Sequence, residues 1–116
     1  MALREIARGE WETLLAGLGR DYSGRPVSVE TSCWETCSVY QRARNLPLRE
    51  LRIDALDRPD ETAIALTVGD SAASAFTHTI VRPLRILFET AAHGESHRLR
   101  VESADGIVTS VLLAVG

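Results

Sequence analysis

Lysine is absent from this chain: all thirteen basic residues are arginine, set against sixteen acids for a formal charge of −3 at pH 7. A net acid balance spread along the sequence argues against non-specific nucleic-acid binding, whose affinity rests on a basic surface. The all-arginine usage reads first as a GC-rich coding background, and the spacing offers no sign that arginine was selected for bidentate contacts. Long apolar runs are missing too. None approaches the roughly 20 residues that span a bilayer, so no membrane segment is expected. The first ten residues mix acids with bases and hold no apolar stretch, so no signal peptide is expected and the expected location is cytoplasmic. Only two cysteines occur, Cys33 and Cys37, and in that compartment they are expected as reduced thiols. There is no G-x-S-x-G elbow and no glycine-rich phosphate loop after a strand. Gly17-Leu18-Gly19 ends a helical pattern and reads as a cap.

What is present is an ordinary globular composition, 45% apolar and 25% charged over 116 residues. That length suits a single domain, residues 1–116, with one core. Trp11, Leu14, Leu15 and Leu18 recur at helical spacing and predict an amphipathic helix from Arg8 to Leu18, capped at Gly19. Leu3–Ile6 reads as an extended lead-in. Val27–Thr31 and Ser38–Arg44 read as strands joined by a loop over Ser32–Cys37. Asn45–Leu48 ends the second, since proline removes a ladder donor. Leu51 and Ile53 continue a short edge segment, and Leu56–Thr62 is a charged loop.

Ala63–Val68 is the next strand, with Ile64, Leu66 and Val68 inward. Phe76–Val81 and Leu84–Glu89 are two short strands, or one broken at Pro83. The clearest signal is at the end. His97, Leu99, Val101 and Ser103 alternate before Asp105-Gly106, and Ile107, Thr109, Val111, Leu113 and Val115 alternate after it. This is the pattern of a tight hairpin. The expected architecture is α+β, with an N-terminal helix packed on a curved antiparallel meander of about six strands, half-barrel-like.

Several segments together resemble a family of small uncharacterised bacterial proteins, a domain-of-unknown-function family of about this length. They are Arg4-Glu5-Ile6 with Trp11, Val27–Glu30, Leu46-Pro47-Leu48, Gly69-Asp70, Thr77–Ile80 with Pro83, and Leu99–Gly106 before a closing apolar strand. The resemblance implies a single complete domain and carries no activity. Glu50 departs from it where a glycine is expected, and Cys33–Cys37 with Trp34 lies outside its pattern.

Candidate chemistry is sparse. Cys33 and Cys37, with His78, His93 and His97, have the residue types of a metal site but not a zinc signature, so no metal and no cofactor is expected. His78 sits on the face of Phe76 and Ile80, expected to be buried. It is read as a core histidine, or, with Glu102 or Asp105 nearby, as one half of an acid–base pair. Tyr40 and Trp34 join it as weak candidates for a ligand pocket between helix and sheet. Arg42, Arg44, Arg98 and Arg100 would form a basic stripe if their strands were neighbours. Val108 and Leu112 make the last strand apolar on its second face, which calls for a cover. The leading expectation is a non-enzymatic interaction or accessory domain of a bacterial cytoplasmic protein, with a protein partner or self-association. The alternatives are a small-molecule binder or minor enzyme near His78, and nucleic-acid binding through the arginines.

Overall fold

The computed structural model describes residues 2–33, 38–54, 62–90 and 96–114. Eight strands form one antiparallel sheet: β1 (Ala2–Ile6), β2 (Pro26–Cys33), β3 (Val39–Asp54), β4 (Ala63–Val68), β5 (Phe76–Val81), β6 (Pro83–Thr90), β7 (Ser96–Ser103) and β8 (Ile107–Ala114). Their order is β1-β6-β7-β8-β2-β3-β4-β5. The fold class is α+β, and the strand number is eight rather than about six. Leu3–Ile6, expected as a lead-in, is an edge strand paired along β6, from Ala2↔Thr90 to Ile6↔Ile86. That pairing joins opposite ends of the chain and leaves no local mark.

The helix α1 (Trp11–Asp21) follows a single 3-10 turn over Arg8–Glu10. It buries Trp11, Leu15 and Leu18, the face the spacing predicts. The Trp11 indole Nε1–H donates to the Ile6 carbonyl at 3.0 Å, which ties the helix to β1. The helix does not stop at Gly19. It runs on to Asp21, and the Tyr22 amide closes it on Leu18. Gly19 is a packing residue, because a Cβ there would sit 3.2 Å from the Leu51 carbonyl oxygen of β3.

The largest difference from expectation is β3. The sequence pattern ends it at Asn45–Leu48, with Leu51 and Ile53 in a short edge segment. Instead sixteen residues run through Pro47 as one interior strand. Proline fits because β3 changes partners there. The ladder to β2 ends at Pro26↔Pro47, and the ladder to β4 begins at Leu48↔Val68, so no donor is demanded of Pro47. Two irregularities bend the first half. Asn45 takes a left-handed φ of +49° and its amide donates to the Ser28 hydroxyl. Farther toward the start of β3, Val29 pairs with Ala43 and Glu30 with Gln41, leaving Arg42 as an extra residue, a β-bulge.

The sheet is not closed by hydrogen bonds; β1 and β5 are its edges. It curls nonetheless, because β5 and β6 stand at distant positions in the sheet order and are joined by Arg82 alone. Arg82 adopts φ +46°, a conformation costly for a side-chain-bearing residue. Two backbone bonds hold it: its amide donates to the Thr62 carbonyl at 3.1 Å, and its carbonyl accepts from Ala104 at 3.0 Å. The second bond ties this corner to the β7–β8 turn. That turn is the expected hairpin. Gly106 supplies φ +84°, its amide donates to Ser103, and the Asp105 carboxylate accepts from the Ile107 amide at 3.1 Å. Inward residues of the sheet, among them Val29, Leu66, Ile86, Leu99, Val101, Val111 and Leu113, form one core with Trp11, Leu15 and Leu18.

Candidate functional site

Three inward-facing rows end in hydroxyls. β2 reads Val27, Val29, Thr31; β7 reads Leu99, Val101, Ser103; β8 reads Leu113, Val111, Thr109 toward the hairpin turn. Thr31 and Thr109 are directly paired, and Val101 is paired with Thr109. All three hydroxyl residues are buried. They stand where the apolar core gives way to a cleft of about 90 Å3, between β5 and the β7–β8 hairpin. Arg42 and His78 line it with them, Asp105 faces it from the turn, and Ile80, Val81 and Ile107 supply apolar wall. No helix residue lines this cleft, so the pocket near His78 lies at the open seam of the sheet rather than between helix and sheet.

Arg42 reaches the cleft because of its bulge. A regular strand would continue the alternation, whereas the extra residue re-aims its side chain. The guanidinium is fixed on two sides: Nε–H donates to the Thr31 hydroxyl at 2.9 Å, and the group lies 5.4 Å from the centre of the Tyr40 ring. It makes no ion pair with any described carboxylate. Arg20, Arg52, Arg85 and Arg100 all do.

His78, opposite Leu66 in register, is half-buried. Its strand face was expected to be buried, but only Ile80 at its far end is; Phe76 is 42% exposed. The edge strand β5 packs over the core only at the end that approaches β7. Burial holds the His78 pKa below its ordinary value, and the positive charge of Arg42 lowers it further. Of the two acids considered as partners for His78, Asp105 lines its cleft. Glu102 belongs to another surface, where it meets Arg85 at 3.4 Å and Arg100 at 3.5 Å, with Arg85 also paired to Glu5 at 2.7 Å.

The four candidate arginines do not gather. Two strands, β8 and β2, separate Arg98 and Arg100 on β7 from Arg42 and Arg44 on β3. At the usual strand spacing that is roughly 14 Å. On the second face of β8, Leu112 is exposed between Ser28 and Arg98, and half-buried Val108 lies between Ser32 and Glu102. Polar neighbours thus break the apolar face into separate residues.

Cys33 is half-buried at the end of β2 that pairs with Ile107, whereas His97 pairs with Leu113 opposite Val27. Six residues of strand, roughly 20 Å, lie between those ends. His97 instead stacks on Phe88 at 5.4 Å and meets the Tyr22 ring edge-on at 6.3 Å. Its Nδ1 is buried with no hydrogen-bond partner among the described residues. Among the described residues no three potential metal ligands come together. Trp34, Cys37 and His93 lie outside the described residues.

Sequence reasoning passed over Thr31, Ser103 and Thr109. A signal for them was present: each is a polar residue on the inward phase of an otherwise apolar alternation, late in β2 and β7 and early in β8, which antiparallel pairing brings to one end of the sheet.

The fold has a known likeness. The crystal structure of the Bacillus subtilis YojF protein superposes with a TM-score of 0.55 over 98% of this chain and 94% of that one, at 16% identity. At that identity the likeness is one of fold. No protein-family model and no curated protein matches the sequence. Among the described residues no helix is long and apolar enough to cross a membrane.

Proposed function

We propose that this chain is a non-enzymatic binding domain of a bacterial cytoplasmic protein, and that its binding site is the cleft at the seam of the curled, half-barrel-like sheet. The observation that carries this reading is the convergence of Arg42 and His78 on one concave site rimmed by buried hydroxyls. Small-ligand sites are concave, with a few convergent polar groups set in apolar wall. A histidine packed tightly into the core would have argued the other way. Catalysis has less support. Asp105, the acid that lines the cleft with His78, is engaged by the Ile107 amide.

A small-ligand screen of the isotope-labelled chain, read by amide chemical shifts, tests the reading. Saturable shifts confined to Thr31, His78, Thr79, Ser103 and Thr109 are expected. Shifts scattered over the surface, or none with any ligand class, would contradict it.

A second reading, a protein partner or self-association, is favoured by β5. It is an uncovered edge whose Phe76 and Val81 are 42% and 48% exposed, and such edges can accept a further strand. A concentration-dependent mass in solution, abolished by a charged residue at Val81, would promote this reading over the first.

A further inference from the structure

Arg42 is the starting point: it is exposed, its guanidinium is held at the cleft by Thr31 and Tyr40, and it pairs with no described carboxylate. Its Nε is committed to Thr31 and its flat face to Tyr40. That leaves the two terminal nitrogens as the free end of the fork, the end that grips a planar or tetrahedral oxyanion bidentately. His78 lines the same cleft and supplies a ring N–H. Hydroxyls that donate or accept as required surround both groups, at Thr31, Ser103 and Thr109.

Resting on the reading of the cleft as the binding site, we propose that its ligand is a small oxyanion: Arg42 and His78 clamp one phosphate or carboxylate group at the seam, with the buried hydroxyls completing its shell. A cleft of about 90 Å3 holds one such group and leaves any larger body of the ligand outside. A cation is disfavoured by Arg42. A neutral ligand would leave the free end of the guanidinium without a counter-charge. Asp105 is the one negative group among the described residues lining the cleft, and it is anchored to the Ile107 amide rather than to Arg42. It therefore opposes the incoming anion.

The opposed roles of Arg42 and Asp105 make the test sharp. The full chain is titrated with inorganic phosphate, sulfate and acetate at constant ionic strength, with glycerol as a neutral probe. Binding is read from the amides of His78, Thr79 and Thr109. At least one anion is expected to saturate; phosphate and sulfate without acetate identify a tetrahedral group, and acetate alone a carboxylate. Arg42→Gln is expected to weaken binding about tenfold or more, the scale of a lost charge-assisted hydrogen bond. Asp105→Asn keeps the turn's acceptor and is expected to tighten binding severalfold. An Arg42→Gln variant that keeps a native amide spectrum and binds the anion undiminished overturns the proposal, as does Asp105→Asn weakening it. Saturation by glycerol with none of the anions overturns the oxyanion and leaves the cleft as the site. Saturation by none of the four overturns both.

Discussion

Arg42 and Thr31 meet across a bulge: the guanidinium Nε–H donates to the threonine hydroxyl at 2.9 Å, although their strands are out of regular register at that point. The bulge turns an arginine of an exposed strand segment toward the seam where His78 lies, and this contact holds it there. The relationship separates positioning from folding. Thr31→Val removes the hydroxyl while keeping a β-branched shape suited to a strand. Stability is expected to change by less than about 1 kcal/mol, and anion affinity to fall, because the guanidinium loses its anchor. Urea unfolding beside a phosphate titration checks both halves.

Stability should depend on pH through His78. Burial and Arg42 both disfavour its charged form, so its folded pKa lies below the unfolded value near 6.5. Above that unfolded value neither state gains a proton there, and stability is unaffected. As pH falls below it, the unfolded chain takes up a proton that the folded chain refuses, and the folded state loses ground until the folded pKa is reached. The thermal midpoint is therefore expected to drop from pH 7 toward pH 5 by an amount that His78→Gln removes. An equal drop in that variant would place the effect in other groups.

Trp11 joins the helix to the edge strand through a bond that no other indole atom can replace. Trp11→Phe leaves the Ile6 carbonyl without its donor and opens space at a residue only 2% exposed. A loss of about 1–3 kcal/mol is expected in urea unfolding. If β1 is held mainly by this link, its amides will also exchange faster with solvent than those of β7.

Gly69 follows β4 with φ +147°, and a Cβ there would lie 2.5 Å from the Ala75 Cα. The atoms it would meet, in Ser74 and Ala75, are all backbone, which leaves nothing flexible to yield. Gly69→Ala is expected to cost about 2–4 kcal/mol, measurable as a lowered denaturation midpoint at unchanged slope.

Local signals carried well into the structure where partners are near in sequence. The Trp11–Leu18 stripe and the Asp105-Gly106 hairpin each record one element and its inward face. Non-local pairing carried poorly. Leu3–Ile6 becomes a strand only because β6, some eighty residues later, lies beside it. Pro47 is tolerated only because β3 exchanges β2 for β4 at that point. The site divides in the same way. His78 stands out as a polar residue on the strand phase of Phe76 and Ile80, and Thr31, Ser103 and Thr109 were legible as hydroxyls on inward phases. Arg42 was not, since its direction depends on a bulge that exists only in the pairing of β2 with β3. The same non-locality explains why Arg42 and Arg44 are far from Arg98 and Arg100.

The most direct test of the oxyanion account is the pKa of His78, measured by NMR of its ring with and without phosphate. An anion held between Arg42 and His78 stabilises the imidazolium, so the account predicts a pKa below the ordinary histidine value in the free protein and a rise as phosphate saturates the cleft. A His78 pKa that does not move at saturating phosphate would contradict it.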